Sequence, residues 1–215
     1  MSRVFGPAEL LECYRRGVFP MADARDDPRL FLVDPDLRGV LPLDGLHISR
    51  SLRKTVRQDV FDVRVDTAFS RVMELCAEEA PNRLETWINS PILNLYSSLN
   101  KAGYAHSVEA WRNGELVGGL YGVSLQGVFF GESMFSRETD ASKVALVNLI
   151  ARLRRGGYVL LDTQFVTAHL QTFGVEEVPR MEFQRRLREA LQVEATFPTE
   201  PIYGAEALQL ITQTS

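Results

Sequence analysis

The chain has 215 residues, of which 45% are hydrophobic and 24% are charged, and its formal net charge at pH 7 is −4. This length and composition are typical of a globular chain with one large core, or with a main domain and a small one. The net negative charge argues against a protein that coats nucleic acid indiscriminately, although a local basic patch stays compatible with it.

Targeting and metal signals are absent from the sequence. No apolar run approaches the roughly 20 residues that cross a bilayer, and the N-terminus lacks a signal-peptide core. Cys13 and Cys76 lie far apart without metal-type spacing, which disfavours a zinc site or a disulfide framework. We therefore expect a cytoplasmic protein with no metal and no membrane partner.

The N-terminal part predicts a small domain. A helix is expected over 7–16, with Gly17 as its C-terminal stop. The stretch 23–36 is rich in Asp and Pro, which is typical of turns and connections. With a boundary near Arg38, we expect an N-terminal domain over 1–38 and a main domain over 39–215.

A basic helix face is predicted over 47–58. Its four cationic residues follow the spacing i, i+3, i+4 and i+7, which places them on one side of a helix. They are Arg50, Arg53, Lys54 and Arg57. From the spacing alone, a solvated helix face is the simpler interpretation, and a patch that contacts phosphates is the alternative.

The middle of the chain predicts a strand, two helices and a hairpin-rich sheet. Alternation over 61–65 indicates a strand, after which Asp66 can cap a helix that ends at the break over 80–83. Ser90 is the predicted N-cap of the next helix. The turns Asn113-Gly114 and Gln126-Gly127 then predict three adjacent antiparallel strands.

The stretch 127–164 combines a core with polar chemistry. It predicts a strand over 127–130, an irregular polar segment over 131–136, a buried helix over 141–155 and a strand over 158–164. Residues two apart on a strand project from the same face, so we expect Asp162 and Gln164 to lie side by side near the strand's end.

The C-terminal part predicts a connection over 165–174, a strand over 175–179 and a helix whose apolar face carries Phe183, Leu187 and Leu191. From about Thr196 we expect a surface tail. The whole succession predicts an α+β fold, with a mixed, largely antiparallel sheet flanked by helices.

Several co-linear segments carry a family resemblance. They are residues 14–21, 86–88, 106–109, 118–123, 131–136, Ala141-Ser142-Lys143, Asp162-Thr163-Gln164, His169 and Phe173-Gly174. Together they resemble the leucyl/phenylalanyl-tRNA–protein transferase family over nearly the whole chain. The resemblance implies an acetyltransferase-like (GNAT-like) main domain. No cofactor is implied, and we expect a monomer.

The implied reaction moves Leu or Phe, with Met as a further candidate, from charged tRNA to the N-terminal amine of proteins beginning with Arg or Lys. Such modification marks those proteins for N-end-rule degradation. The resemblance places Asp162 and Gln164 at the catalytic positions and Glu132 where a cationic acceptor binds. Our hypothesis is that the Gln164 carbonyl accepts a hydrogen bond from the attacking amine while Asp162 orients and polarises Gln164. The structural alternatives are a strand-end Asp162, a solvent-facing Gln164 and a salt-bridged Glu132.

The resemblance also assigns the donor's binding residues. Candidates for the aminoacyl pocket are Met21, Leu120, Phe129, Met134, Leu149, Leu153 and Leu161, with core packing as the alternative for each. Tyr14 and Trp87 match positions near the terminal adenosine of the tRNA, where stacking is expected, although either also fits a packed aromatic with a polar tip. With a tRNA donor, the basic helix face becomes a phosphate-contacting patch.

Two other functions remain open. A CoA-dependent N-acyltransferase of similar fold needs a Gly-rich loop before a helix, whereas residues 136–140 lack glycine and carry two acids. A non-enzymatic RNA-binding module is suggested only by the basic helix face and has no use for Asp162 or Gln164.

Overall fold

The computed structural model describes residues 5–78 and 86–213 of the chain. The helices are α1 (Pro7–Arg15), α2 (Arg50–Arg57), α3 (Phe69–Cys76), α4 (Ser90–Lys101), α5 (Ala141–Arg155), α6 (Ala168–Gln171), α7 (Arg180–Ala190) and α8 (Gly204–Thr212). The strands are β1 (Phe19–Met21), β2 (Phe31–Val33), β3 (Leu37–Val40), β4 (Asp62–Val65), β5 (Ala105–Arg112), β6 (Glu115–Leu125), β7 (Val128–Ser136), β8 (Leu160–Gln164) and β9 (Glu176–Pro179).

Seven strands form one sheet in the order β4-β5-β6-β7-β8-β3-β9, and β1 pairs with β2 in a separate antiparallel ribbon. Within the large sheet, β7 and β8 run parallel and the other neighbours run antiparallel. Helix α5 makes the crossover between the two parallel strands. The predicted α+β class, with a mixed, largely antiparallel sheet flanked by helices, is confirmed.

Helices cover both faces of the sheet. Helices α3, α4 and α7 pack on one face, with α1 against α4, while α5 packs on the other face and is itself covered by α2 and α8. This double coverage explains why α5 is apolar nearly all round, with Leu146, Leu149 and Leu153 all buried. Its predicted span is confirmed, and it ends before Gly156 as expected.

The predicted hairpins are confirmed. Asn113 and Gly114 both have positive φ, 52° and 84°, as a type I′ turn requires. Gln126 also has positive φ in the turn between β6 and β7. The three strands that these turns join are adjacent and antiparallel.

The predicted irregular segment over 131–136 is wrong, because these residues continue β7 and pair with β6 as far as Ser136. A register shift at Tyr121 and Gly122 lets the two long strands stay paired. The polar composition of this segment reflects the cavity beside it and not a loss of strand structure.

Two predicted helix caps are also wrong. The Asp66 carboxylate accepts the Ser107 N–H at 2.8 Å and pairs with His106 at 2.7 Å. Helix α3 begins at Phe69, three residues after Asp66, with Ala68 at its N-cap. Helix α4 is capped by Asn89, whose side chain accepts the Ile92 N–H at 2.9 Å. The predicted break over 80–83 lies outside the described residues.

The predicted surface tail is wrong as well. The Phe197 ring stacks on His106 with centroids 4.2 Å apart, and α8 packs against α5 and α2. The buried Arg152 donates to the carbonyl oxygens of Pro198 and Glu200 at 2.7 and 2.8 Å. Burial lowers the pKa of Arg152 to about 10, so it stays charged at pH 7 and anchors this segment.

Two further observations bear on organisation. None of the helices in the described ranges is both long and apolar enough to cross a bilayer.

Arg38 lies within β3, which pairs with β8 and β9 in the large sheet. The division of the chain near Arg38 stays a prediction.

Candidate active site

A cavity of about 430 Å³ opens where β7 and β8 separate. The two strands pair from Val128 to Phe130 on β7 and from Leu160 to Asp162 on β8, after which β7 continues beside β6. The lining residues are Met21, Trp87, Leu120, Tyr121, Gly131, Glu132, Ser133, Met134, Leu146, Leu149, Leu161, Thr163, Gln164, Phe165, Thr167, His169 and Leu170. The cavity therefore has an apolar wall and a short polar one.

Half of the predicted site residues line this cavity. Five of the seven aminoacyl-pocket candidates line it, together with Trp87, Glu132 and Gln164. Phe129 and Leu153 do not line it, which corrects that part of the expectation. Both side chains are fully buried in the core, and the Phe129 ring packs on Phe197 with centroids 5.6 Å apart.

Asp162 lies behind the cavity wall in a fully buried ion pair with Arg38. Arg38 Nε donates to Asp162 Oδ1 at 2.9 Å and Arg38 Nη2 donates to Oδ2 at 2.6 Å. The backbone N–H of Gln164 also donates to Asp162 Oδ1, at 2.8 Å. The carboxylate is thus held by a bidentate charge pair and reaches Gln164 through the main chain.

Arg38 is a site residue that sequence reasoning missed. Its guanidinium lies between the rings of Phe19 and Phe183, 4.7 and 4.4 Å from their centroids, and Nη1 donates to the Gly17 carbonyl at 2.9 Å. The sequence did contain a signal for this pairing. A buried carboxylate such as Asp162 needs a cation, and Arg38 is the one charged residue in the short strand β3.

The side chain of Gln164 lines the cavity and is oriented by Glu132. Its backbone has φ of 61°, a left-handed conformation that ends β8. Its side-chain Nε2 donates to Glu132 Oε1 at 2.8 Å, which orients the amide. Among residues 5–78 and 86–213, no group donates to Gln164 Oε1, so this oxygen can accept a hydrogen bond from a bound substrate.

Glu132 is held by two tyrosines. The Tyr14 hydroxyl donates to Oε1 at 2.6 Å, the Tyr96 hydroxyl donates to Oε2 at 3.1 Å, and the two hydroxyls also contact each other. Burial raises the pKa of Glu132 to about 7, although hydrogen bonds from Tyr14, Gln164 and Tyr96 oppose the rise. Glu132 therefore changes charge near neutral pH.

Tyr14 cannot stack on a tRNA base in this structure, because its side chain is fully buried and its ring packs on Phe130 with centroids 4.7 Å apart. Burial and the nearby Glu132 raise the pKa of Tyr14 well above its usual range, so its hydroxyl keeps its proton. Its observed contact is the hydrogen bond to Glu132. Trp87, by contrast, is half-buried and lines the cavity.

The basic residues of α2 lie elsewhere. Arg50, Lys54 and Arg57 are exposed and Arg53 is half-buried, and none of the four lines the cavity. Within the described part of the chain, none of them forms an ion pair, in contrast to the many paired arginines of the surface. Helix α2 therefore presents unneutralised positive charge. The described residues also contain no group of three His, Cys, Asp or Glu side chains that could hold a metal ion.

Comparison with known proteins places the chain in a family. The family model for leucyl/phenylalanyl-tRNA protein transferase matches residues 40–188, and the model for the N-terminal domain of the same family matches residues 5–36. Proteins named leucyl/phenylalanyl-tRNA–protein transferase are 63% identical in Maricaulis maris, over 99% of this chain and 100% of that protein, and 64% identical in Hyphomonas neptunium, over 92% and 76%. A third, from Phenylobacterium zucineum, is 58% identical over 98% of this chain and 99% of its own length. The chain belongs to the leucyl/phenylalanyl-tRNA–protein transferase family.

Proposed function

We propose that this protein moves Leu or Phe, with Met as a further candidate, from charged tRNA to the N-terminal amine of an acceptor protein. The observation that carries the proposal is the apolar cavity that lies directly beside the Gln164 amide and the Glu132 carboxylate. Its volume falls within the range of small-ligand sites. The wall formed by Leu120, Leu149 and Leu161 suits a large aliphatic or aromatic side chain, and such a pocket discriminates weakly among them.

The reaction asks mainly for positioning. The acceptor's nitrogen bonds to the ester carbonyl carbon, the bond from that carbon to the ribose oxygen breaks, and one proton passes from the amine to the leaving oxygen. An α-amine has a pKa of about 8, so part of it is neutral at pH 7. Gln164 Oε1 accepts a hydrogen bond from this amine. This contact orients the lone pair of the amine nitrogen toward the carbonyl carbon of the ester.

Asp162 acts in this scheme as a positioning residue. Its two oxygens are taken up by Arg38 and by the backbone N–H of Gln164, which leaves it no free contact with substrate. The bidentate pair with Arg38 also holds the carboxylate in place. The left-handed conformation of Gln164 is thus held by a hydrogen bond from its own N–H.

Glu132 is the proposed site for the acceptor's positive charge. The acceptors are proteins that begin with Arg or Lys, and their modification would mark them for N-end-rule degradation. Glu132 is the carboxylate that lines the cavity among the described residues, since Asp162 is buried behind it. A cation that binds there also favours the ionised form of Glu132.

The proposed role of Glu132 predicts a pH dependence of acceptor binding. Because the pKa of Glu132 is about 7, its ionised fraction falls about tenfold as pH falls from 8 to 6. The KM for a peptide beginning with Arg should therefore rise about tenfold over the same range. Glu132→Gln should show the high KM throughout this range. Steady-state rates across pH 6–8 measure the effect, and Glu115→Gln, at an exposed site on β6, is the matched control. A Glu132→Gln enzyme that follows the wild-type pH curve would contradict this role.

For the tRNA, the proposed contacts are Trp87 beside the terminal adenosine and the unpaired cations of α2 along the phosphate backbone. Tyr14 keeps a place in the proposal through its hydrogen bond to Glu132, not through stacking. Phe129 and Leu153 leave the proposed aminoacyl pocket and belong to the core.

The remaining expectations stand as proposals. They are a main domain over 39–215 of acetyltransferase-like fold, a small domain over 1–38, a monomeric state, a cytoplasmic location and a reaction without a cofactor. The crossover β7-α5-β8 and the separation of its two parallel strands support the acetyltransferase-like proposal.

Incubation of the protein with Phe-charged tRNA and a peptide beginning with Arg tests the proposed function. Transfer of Phe to the peptide should be abolished by ribonuclease and unaffected by the absence of CoA. Transfer that requires an acyl-CoA would favour the N-acyltransferase alternative. Binding of tRNA without any transfer would favour the RNA-binding module.

A further inference from the structure

His169 places a buried nitrogen in the wall of the cavity. Its Nε2 is buried and has no hydrogen-bond partner among residues 5–78 and 86–213. The imidazole is held edge-on against Phe173, with centroids 5.4 Å apart and ring planes at 70°. Because buried polar atoms in native proteins are nearly always hydrogen-bonded, an unpartnered nitrogen at a substrate cavity indicates a ligand atom.

The charge of His169 limits what that ligand atom can be. Burial lowers the pKa of His169, and the positive charge of Lys143 lowers it further, so the imidazole is neutral at pH 7. A neutral imidazole carries one N–H donor and one acceptor nitrogen. It therefore suits an uncharged polar group of the substrate better than an anion.

The other lining residues indicate which part of the substrate contacts His169 Nε2. The cavity lining includes the aliphatic Leu146, Leu149 and Leu170, which suit the donor's Leu or Phe side chain, and such a side chain has no polar atom to offer His169. The partner must come from the ester end of the donor. The amines already have acceptor atoms in Gln164 and Glu132. A hydroxyl group both donates and accepts, so it satisfies Nε2 in either tautomer.

We propose that His169 Nε2 forms a hydrogen bond with the 2′-hydroxyl of the terminal ribose of the charged tRNA. This contact fixes the ribose and thereby presents the adjacent ester to the amine at Gln164. The inference rests on the proposed function and adds a positioning residue to it. It also assigns the enzyme a means of distinguishing a ribose from a deoxyribose at the end of its donor.

The test combines two enzymes with two donors. His169→Phe keeps an aromatic ring against Phe173 and removes the nitrogens. The donors are Phe-charged tRNA ending in adenosine and the same tRNA ending in 2′-deoxyadenosine. For the wild-type enzyme, loss of the 2′-hydroxyl should lower kcat/KM about tenfold, the size of one neutral hydrogen bond. His169→Phe should lose about as much on the ordinary donor and lose nothing further on the deoxy donor.

Each other outcome is decisive. The inference is overturned if the wild-type enzyme has the same kcat/KM for both donors. It is also overturned if His169→Phe lowers kcat/KM, relative to the wild-type enzyme, by the same factor for both donors. Thermal unfolding shows whether His169→Phe is folded. If it is not, His169→Gln serves instead: it keeps a side-chain donor and acceptor, and it should retain the preference for the ribose donor. Absence of any transfer from the ordinary donor by the wild-type enzyme would instead overturn the proposed function.

Discussion

Replacing Gln164 by Ala is expected to lower kcat for transfer about 10²-fold and to leave the affinity for charged tRNA nearly unchanged. The reason is geometric: the Gln164 side chain donates to Glu132 and leaves its carbonyl oxygen as the acceptor for the attacking amine. The donor's side chain, by contrast, is held by the apolar wall, which Gln164→Ala leaves intact. Single-turnover transfer rates and filter binding of charged tRNA measure the two effects separately.

A matched control is needed because Gln164 has a left-handed backbone, so a substitution there changes conformational strain as well as chemistry. Gln126 is an exposed glutamine with the similar φ of 53°, in the turn between β6 and β7. Gln126→Ala should therefore reproduce the backbone effect on stability and leave transfer unchanged. A Gln164→Ala enzyme with a near-wild-type rate would remove this residue from the mechanism.

The parts of the fold that sequence predicted well depend on local signals. Helix α5 is marked by a long apolar stretch and the glycine after it, and the hairpins are marked by turn residues that tolerate positive φ. The failures depend on tertiary contacts. The segment Gly131 to Ser136 is polar because it borders a cavity, and the C-terminal segment is ordered because Arg152 and α5 hold it.

The site shows the same division. Strand geometry predicted Asp162 and Gln164 side by side on one face. In the structure Asp162 lies behind the cavity wall and accepts the backbone N–H of Gln164, because the left-handed φ of Gln164 departs from strand geometry. Arg38 is 124 residues away from Asp162, and Tyr96 is 36 residues away from Glu132. No local pattern reports such a pairing. The fully buried Tyr14 shows the converse, since the family position was recognisable while its burial was not.

Replacing Arg38 by Met is expected to lower the free energy of unfolding by about 3–5 kcal/mol, because it leaves the Asp162 carboxylate buried without a cation. Both side chains are almost completely inaccessible to solvent, at 1% and 0% exposure, so water cannot replace the lost partner. Urea unfolding at pH 7 measures the change. Arg152→Met is the matched control, since Arg152 is equally buried but bonds to neutral carbonyls and to Asn148, and its loss should cost less.

The double variant Arg38→Met with Asp162→Asn separates charge from position. This double variant contains no unpaired buried charge, so its free energy of unfolding should exceed that of Arg38→Met. Adding Asp162→Asn to Arg152→Met should not raise the free energy of unfolding in this way. Asparagine keeps a side-chain oxygen that can accept the Gln164 N–H. If Asp162 acts by positioning Gln164, the double variant should transfer Phe within about tenfold of the wild-type rate, a loss no larger than one hydrogen bond. A loss as large as that of Gln164→Ala, in a protein shown to be folded, would mean that the Asp162 charge itself polarises the amide.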